Sequence, residues 1–289
     1  MRFVRYEAGG EAGLAVSVEQ GAFHGLRLSD PAYPGELSAL VAAGPAALQQ
    51  AKAALLNGPE VDLDSVTILP PFPTPGKILC IGLNYRDHSA EVAMELPDYP
   101  LVFARFPSTL IGHGAAIERP RISETLDYEG EFVAVIGKRG KHIPKERALD
   151  HVAGYSLFND VSVREFQRRT PQWTVGKNFD ASGPFGPWFM TADALPSGAR
   201  GLRLQTRLNG QTVQDANTDD LVFDVETLIS TLSDAFTLEP GDIIVTGTSA
   251  GVGAGRKPPL WMKHGDVVEI ELEGFGVLRN SVRDEADAA

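Results

Sequence analysis

The chain has 289 residues, with 38 Asp and Glu against 26 Lys and Arg, a formal net charge of −12. That surplus of acid argues against nucleic acid as a partner, because phosphate binding needs clustered Lys and Arg, but it leaves a small anionic substrate open, because one metal ion or a few cations reverse the field inside a single cleft. An apolar content of 43% with 22% charged residues fits an ordinary globular protein; no apolar run is long enough to span a membrane, the opening MRFVRYEAGGEAG lacks a signal-peptide core, and the single cysteine, Cys80, excludes an intrachain disulfide, so a cytoplasmic location is expected.

Residues 1–70 read as a small N-terminal α/β domain. Short strand-like pieces (MRFVRYEA, GLAVSVEQ, AFHGLRLS) precede an alanine-rich helical stretch, LSALVAAGPAALQQAKAALLNG, split at Gly44-Pro45 and ended by Asn57-Gly58. ILPPFPTPGK holds four prolines in ten residues and reads as an extended linker, which places a boundary near residue 70. From residue 71 to 289 the chain is rich in strands and turns. KILCIGLNY and LVFARF are strands, Asn209-Gly210 sits between two alternating runs as a hairpin turn, and GDIIVTG and GDVVEIELEG are two further strands. One helix is expected over 224–237, capped by Asp224, with Val225, Leu228, Ile229, Leu232 and Phe236 on one face. The elements do not alternate strand with helix, which points to a mainly β, α+β architecture rather than a doubly wound sheet.

Four clusters carry possible chemistry. In DYEGEFVAVIG, Glu129 and Glu131 stand at the mouth of a strand, two apart and so on one face. Like charges so placed repel and need a cation if buried. Asp160 in NDVSVREFQRR, read as the start of a helix, would put Arg164 and Gln167 on its own face. Three carboxylates without nearby His or Cys form an oxygen donor set suited to Mg²⁺, Mn²⁺ or Ca²⁺ rather than Zn²⁺; spacing alone favours exposed strand glutamates and a capping aspartate. In GLNYRDHSAE, His88 and Glu91 are one helical turn apart and can form a general-base pair, or be a loop histidine beside a surface glutamate. Lys177 in WTVGKNFD sits among small and aromatic residues, placed to steady an oxyanion or simply exposed. TGTSAGVGAG is a glycine-rich loop whose N–H groups and threonines can bind oxygens, or a plain tight turn.

Taken together and in this order, the sequence resembles the fumarylacetoacetate hydrolase family. The matching segments are GLNYRDHSAE, FPSTLIGHG, DYEGEFVAVIGK, AGYSLFNDVSVREFQ, TVGKNFDASGPFGPW, LNGQTVQDANTDDLVF, LEPGDIIVTGTSAGVG and GDVVEIELEGFGVLRN, nearly everything from 77 to 282. The resemblance implies a β-roll of mixed sheets over 71–289 around a central cleft, in a homodimer. It implies that Glu129, Glu131 and Asp160 hold a divalent metal, Mg²⁺ foremost, and that His88 and Glu91 form a water-activating pair on a lid. It further implies that Lys177 stabilises developing negative charge and binds substrate, that Arg164 and Gln167 contact substrate oxygens, and that Gly247 and Thr248 bind the substrate's carboxylate end. The longer members' fourth metal carboxylate has no counterpart in KILCIGLNY, and Arg105 stands where many relatives have lysine, without an assigned role.

The reaction expected from this resemblance is hydrolysis of a C–C bond in a 2,4-dioxo acid, an acylpyruvate of the kind met in aromatic catabolism, through a metal-stabilised enolate. The same enolate serves oxaloacetate-type decarboxylation, and isomerisation or hydration of a 2-oxo-diene diacid, which stand as alternatives. A binding protein that has lost activity is disfavoured, because His88, Glu91 and Lys177 are all retained.

Overall fold

A computed structural model of the chain describes residues 1–19, 21–91 and 96–286, apart from the side chains of 88–90. Two sheets dominate it. Nine strands of the larger run in the spatial order 24–27, 11–17, 2–8, 183–191, 152–159, 130–136, 243–245, 78–82, 101–104, with 67–69 pairing on 2–8 and 110–111 on 183–191. The sheet is mixed: Ile243–Val245 runs parallel to Ile78–Gly82 and antiparallel to Gly130–Ile136. The smaller sheet takes the order 211–217, 203–208, 267–272, 276–284, 117–119. This is the mainly β, mixed-sheet architecture expected from the sequence.

The apolar run in DYEGEFVAVIG has a clear cause. Gly130–Ile136 is buried along its whole length, because its two faces serve two cores. Phe132, Ala134 and Ile136 pack with Ile270, Leu272 and Leu278 of the smaller sheet and with the helix Val225–Ala235. Val133 and Val135 face the other way, toward Leu37, Leu48 and Leu55 of the N-terminal helices. A strand covered on both faces must be apolar throughout, so alternation vanishes.

The local signals in the sequence map onto particular elements. Gly44, at φ +95°, divides the helices Leu37–Ala43 and Pro45–Leu56, and Pro45 opens the second. Asn209 and Gly210, both at positive φ, turn the hairpin between Arg203–Leu208 and Gln211–Asn217. The Asp224 carboxylate accepts the Thr227 N–H at 2.8 Å and caps Val225–Ala235. Phe236 departs from expectation: it follows the helix in extended backbone and is 40% exposed, not packed on the apolar face.

The N-terminal strands belong to the large sheet. Arg2–Ala8 pairs antiparallel with Gly183–Thr191, Phe3 opposite Phe189. The proline-rich stretch is pinned as well, since buried Phe72 lies 5.5 Å from the Phe189 ring and 6.4 Å from that of Phe185.

Candidate active site

The site forms where antiparallel strands put a strand start beside a strand end. Gly130 lies opposite Asn159 and Glu131 opposite Phe158, so Glu129, Glu131 and Asp160 gather at one end of the Gly130–Ile136 and Val152–Asn159 pair. The Asp160 N–H donates to the Glu129 carbonyl at 2.9 Å, and the Glu129 N–H to Asn159 Oδ1 at 3.0 Å, which fixes the corner. All three carboxylates are buried, with one oxygen of each within 4.8 Å of the others. Asp160 does not begin a helix. It follows the strand, Ser162–Val163 intervenes as a short strand, and Arg164 opens a one-turn helix, Arg164–Gln167.

Lys177, 1% exposed at the end of the short helix Thr174–Lys177, reaches into this corner. Its Nζ donates to Glu129 Oε2 at 2.7 Å and to Asp160 Oδ2 at 2.6 Å. Burial alone would pull the ammonium pKa down, but the charges of Asp160 and Glu129 outweigh it and hold the lysine protonated. Arg164 Nη1 lies 2.6 Å from Glu129 Oε1 and donates to Gln167 Oε1 at 3.0 Å, while its Nε donates to Asp127 Oδ2 at 2.7 Å.

Sequence reasoning missed two charged residues of this network. Arg105, left without a role, is fully buried: Nη1 donates to Asp160 Oδ1 at 2.6 Å and Nη2 to Ser182 Oγ at 2.7 Å. An arginine closing the apolar run LVFA was the available signal. Asp127 anchors Arg164 and accepts the N–H groups of Gly253 at 2.7 Å and Ala254 at 2.9 Å, tying the glycine-rich loop to the site. An aspartate two before Glu129, on the same alternation, was its signal.

Glu131 stands apart electrostatically. It accepts a hydrogen bond from the Gly247 N–H, and no cationic side chain among the described residues forms an ion pair with it. Burial, then the charges of Asp160 and Glu129, push its pKa well above the usual carboxylate range. Among the described residues the network thus sets four carboxylates (Asp127, Glu129, Glu131, Asp160) against three cations (Arg105, Arg164, Lys177). A buried oxygen-donor triad with one uncompensated negative charge fits a hard divalent cation.

Beside the triad opens a cleft of about 340 Å³, lined by Glu129, Glu131, Arg164, Gln167, Lys177 and Thr248 on its polar side and by Ile81, Leu83, Phe103, Trp173 and Val252 on its apolar side. The Thr248 hydroxyl donates to the Gly130 carbonyl at 3.0 Å and accepts from Gln214 Nε2 at 2.8 Å. The Gly247 N–H is committed to Glu131. Thr246 bonds the Phe132 carbonyl at 2.8 Å.

The helix Arg86–Glu91 sits over the glycine-rich loop. Glu91 Oε1 accepts the Gly251 N–H at 3.0 Å, and Asp87 Oδ1 that of Ala250 at 3.3 Å. The His88 side chain, expected to partner Glu91, lies outside the described residues. The base of this helix is latched by fully buried Asn84, whose Nδ2 donates to the Thr246 carbonyl at 2.7 Å and to the Phe223 carbonyl at 3.0 Å.

Comparison with known proteins places this geometry. Residues 77–283 match the family described as fumarylacetoacetate (FAA) hydrolase, C-terminal. The chain is 40% identical over 287 residues to oxaloacetate tautomerase Fahd2a, mitochondrial, of Rattus norvegicus, covering 98% of this chain and 91% of the relative. The solved structure of fumarylacetoacetate hydrolase from psychrophilic Exiguobacterium antarcticum superposes with a TM-score of 0.85 at 35% identity, over 99% of this chain and 100% of that one. That of maleylpyruvate hydrolase from Sphingobium sp. SYK-6, in complex with manganese(II) ion and pyruvate, does so with a TM-score of 0.80 at 29% identity, over the same shares. A family match across the cleft-bearing sheets, with relatives alike over nearly the whole length, shows that this chain belongs to the fumarylacetoacetate hydrolase family of enzymes.

Proposed function

We propose that this protein is a divalent-metal enzyme that makes and resolves the enolate of a small 2-oxo acid, and that its reaction is keto–enol tautomerisation of oxaloacetate. The observation that carries the enolate reading is the buried Glu129–Glu131–Asp160 triad, one charge short of compensation, with the Lys177 ammonium inside it. The choice of tautomerisation is supported by the full-length likeness to a relative named for it.

Glu129, Glu131 and Asp160 would hold the ion, Mg²⁺ or Mn²⁺. Bound there, it supplies Lewis-acid polarisation of a 2-oxo group. Lys177 keeps a fixed positive charge 2.6–2.7 Å from two of the ligands, close to where oxygen charge develops. Arg164 and Gln167, joined to each other, orient the substrate's oxygens. Thr248 and Gly247 shape the loop end of the cleft. His88 is assigned the proton transfer, with Glu91 as its expected partner: it takes a proton from C3 of the keto acid and returns it to the enol oxygen, or the reverse. Docking of Arg86–Glu91 on the Gly251 N–H keeps bulk water from that exchange.

C–C hydrolysis of an acylpyruvate stands second. It is favoured by the same Glu91 contact, since a histidine–glutamate pair on a lid can equally activate water, and by the likeness to two hydrolases. Metal-stripped protein restored with Mg²⁺ or Mn²⁺ and given enol-oxaloacetate and an acylpyruvate separates these readings. Rapid loss of enol absorbance with oxaloacetate conserved supports the tautomerase. Pyruvate plus a carboxylic acid from the acylpyruvate, with the enol decaying at its background rate, replaces it by hydrolysis. Pyruvate and CO₂ from oxaloacetate would make the enzyme a decarboxylase.

A further inference from the structure

Among the described residues, the cleft contains one cation that the acidic network does not use. Arg164 and Lys177 are both bound to carboxylates within 2.8 Å. Arg168 lines the same cleft, is exposed, and makes no side-chain ion pair or hydrogen bond among the described residues. Its neighbour Arg169 is turned elsewhere, its guanidinium 3.7 Å from the centre of the Phe166 ring. Arg168 is carried by the Arg164–Gln167 turn, its N–H bonded to the Arg164 carbonyl at 3.1 Å, so the turn that carries one arginine to the triad carries a second to the cleft.

Charge balance says what the second arginine is for. Among the described residues, with Arg168 counted, four cations face the four carboxylates of the network, and a divalent ion would leave this set with a surplus of two positive charges. A surplus of two is neutralised by a dianion, and a monoanion leaves one charge unmatched. The remaining wall is apolar, Phe103 meeting Trp173 edge to face at 5.5 Å, and offers a second carboxylate no other cation.

We infer that Arg168 is a specificity-determining residue that binds the distal carboxylate of the substrate and selects dicarboxylic over monocarboxylic 2-oxo acids. The inference rests on the 2-oxo acid reading of the site. Its test is calorimetric titration of Mg²⁺-loaded protein with pyruvate and with 2-oxoglutarate, which share the 2-oxo acid head and differ by a distal carboxylate. Arg168→Ala should weaken 2-oxoglutarate about ten- to hundredfold, the worth of a charge-assisted contact, and leave pyruvate within about twofold. Arg168→Lys should restore part of the loss. Equal weakening of both ligands, or of neither, overturns the role of Arg168 while the 2-oxo acid reading stands. Failure of both ligands to bind the unmutated, metal-loaded protein overturns that reading and this inference with it.

Discussion

At the scale of single residues, the site is a contest between cations for the same carboxylate oxygens. Lys177 is bonded to Glu129 Oε2 and Asp160 Oδ2, on two of the carboxylates that would hold a divalent ion. Lys177→Met should therefore act in opposite directions on two observables. Without metal, removing one partner from a buried ion cluster costs about 3–5 kcal/mol of stability, seen as a lower melting temperature. With the competing ammonium gone, Mn²⁺ should bind at least as tightly by calorimetry, while turnover falls about 10²–10³-fold for want of oxyanion stabilisation. Weaker metal binding would show that Lys177 builds the metal site rather than serving the reaction.

Glu131 adds a pH dependence. In the metal-free protein its folded pKa lies above the ordinary glutamate value of 4.5, so the folded state keeps a proton that the unfolded state releases. Between 4.5 and the raised folded value, raising the pH therefore costs stability, and the full cost remains above that value. Metal-free protein should gain melting temperature as pH falls through the raised folded value toward 4.5, and Glu131→Gln should flatten that slope. An unchanged slope in the variant would place the titration elsewhere.

At the scale of elements, the lid and the glycine-rich loop are fitted to each other. A Cβ added at Gly255 would lie 2.5 Å from Glu91 Oε1 and 2.8 Å from its Cγ, while its other near contacts are to that same side chain. Because the obstacle is the end of a flexible side chain, Gly255→Ala should leave the melting temperature nearly unchanged. It should cut kcat/KM about tenfold by displacing Glu91, and steady-state kinetics alongside a thermal melt reads both. This glycine was legible in TGTSAGVGAG only as backbone freedom; the reason for it, a glutamate more than 160 residues away in the chain, requires the fold. The same division runs through the rest of the site. Glu129 and Glu131 were readable because strand alternation is local. Arg105 and Asp127 were not, because what makes them functional is the partner each meets across the sheet, Asp160 for the one and Arg164 for the other. The helix expected at Asp160 failed for a related reason: the Ser162–Val163 strand pairs with Leu126–Asp127, and that pairing overrides local preference.

At the scale of the whole molecule, the two cores meet at the strand that opens on the site, so the N-terminal residues contribute to its support. Phe3, Phe72, Phe185 and Phe189 share one core with Val133 and Val135. Phe72→Ala should cost about 3–5 kcal/mol, measured by denaturant unfolding, and a loss under 1 kcal/mol would mean that the proline-rich stretch is not anchored by its ring. The homodimer expected from the resemblance is open to sedimentation analysis.

The central claim is that the buried triad is a divalent-metal centre on which 2-oxo acid enolisation depends. Its most direct test is titration of Mn²⁺ into metal-stripped protein while the decay of enol-oxaloacetate is followed in the same cell. The account predicts that activity rises from background and saturates at one ion per chain, and that Glu131→Gln abolishes the rise. Full activity before any metal is added, or a saturating rise that persists in Glu131→Gln, would contradict it.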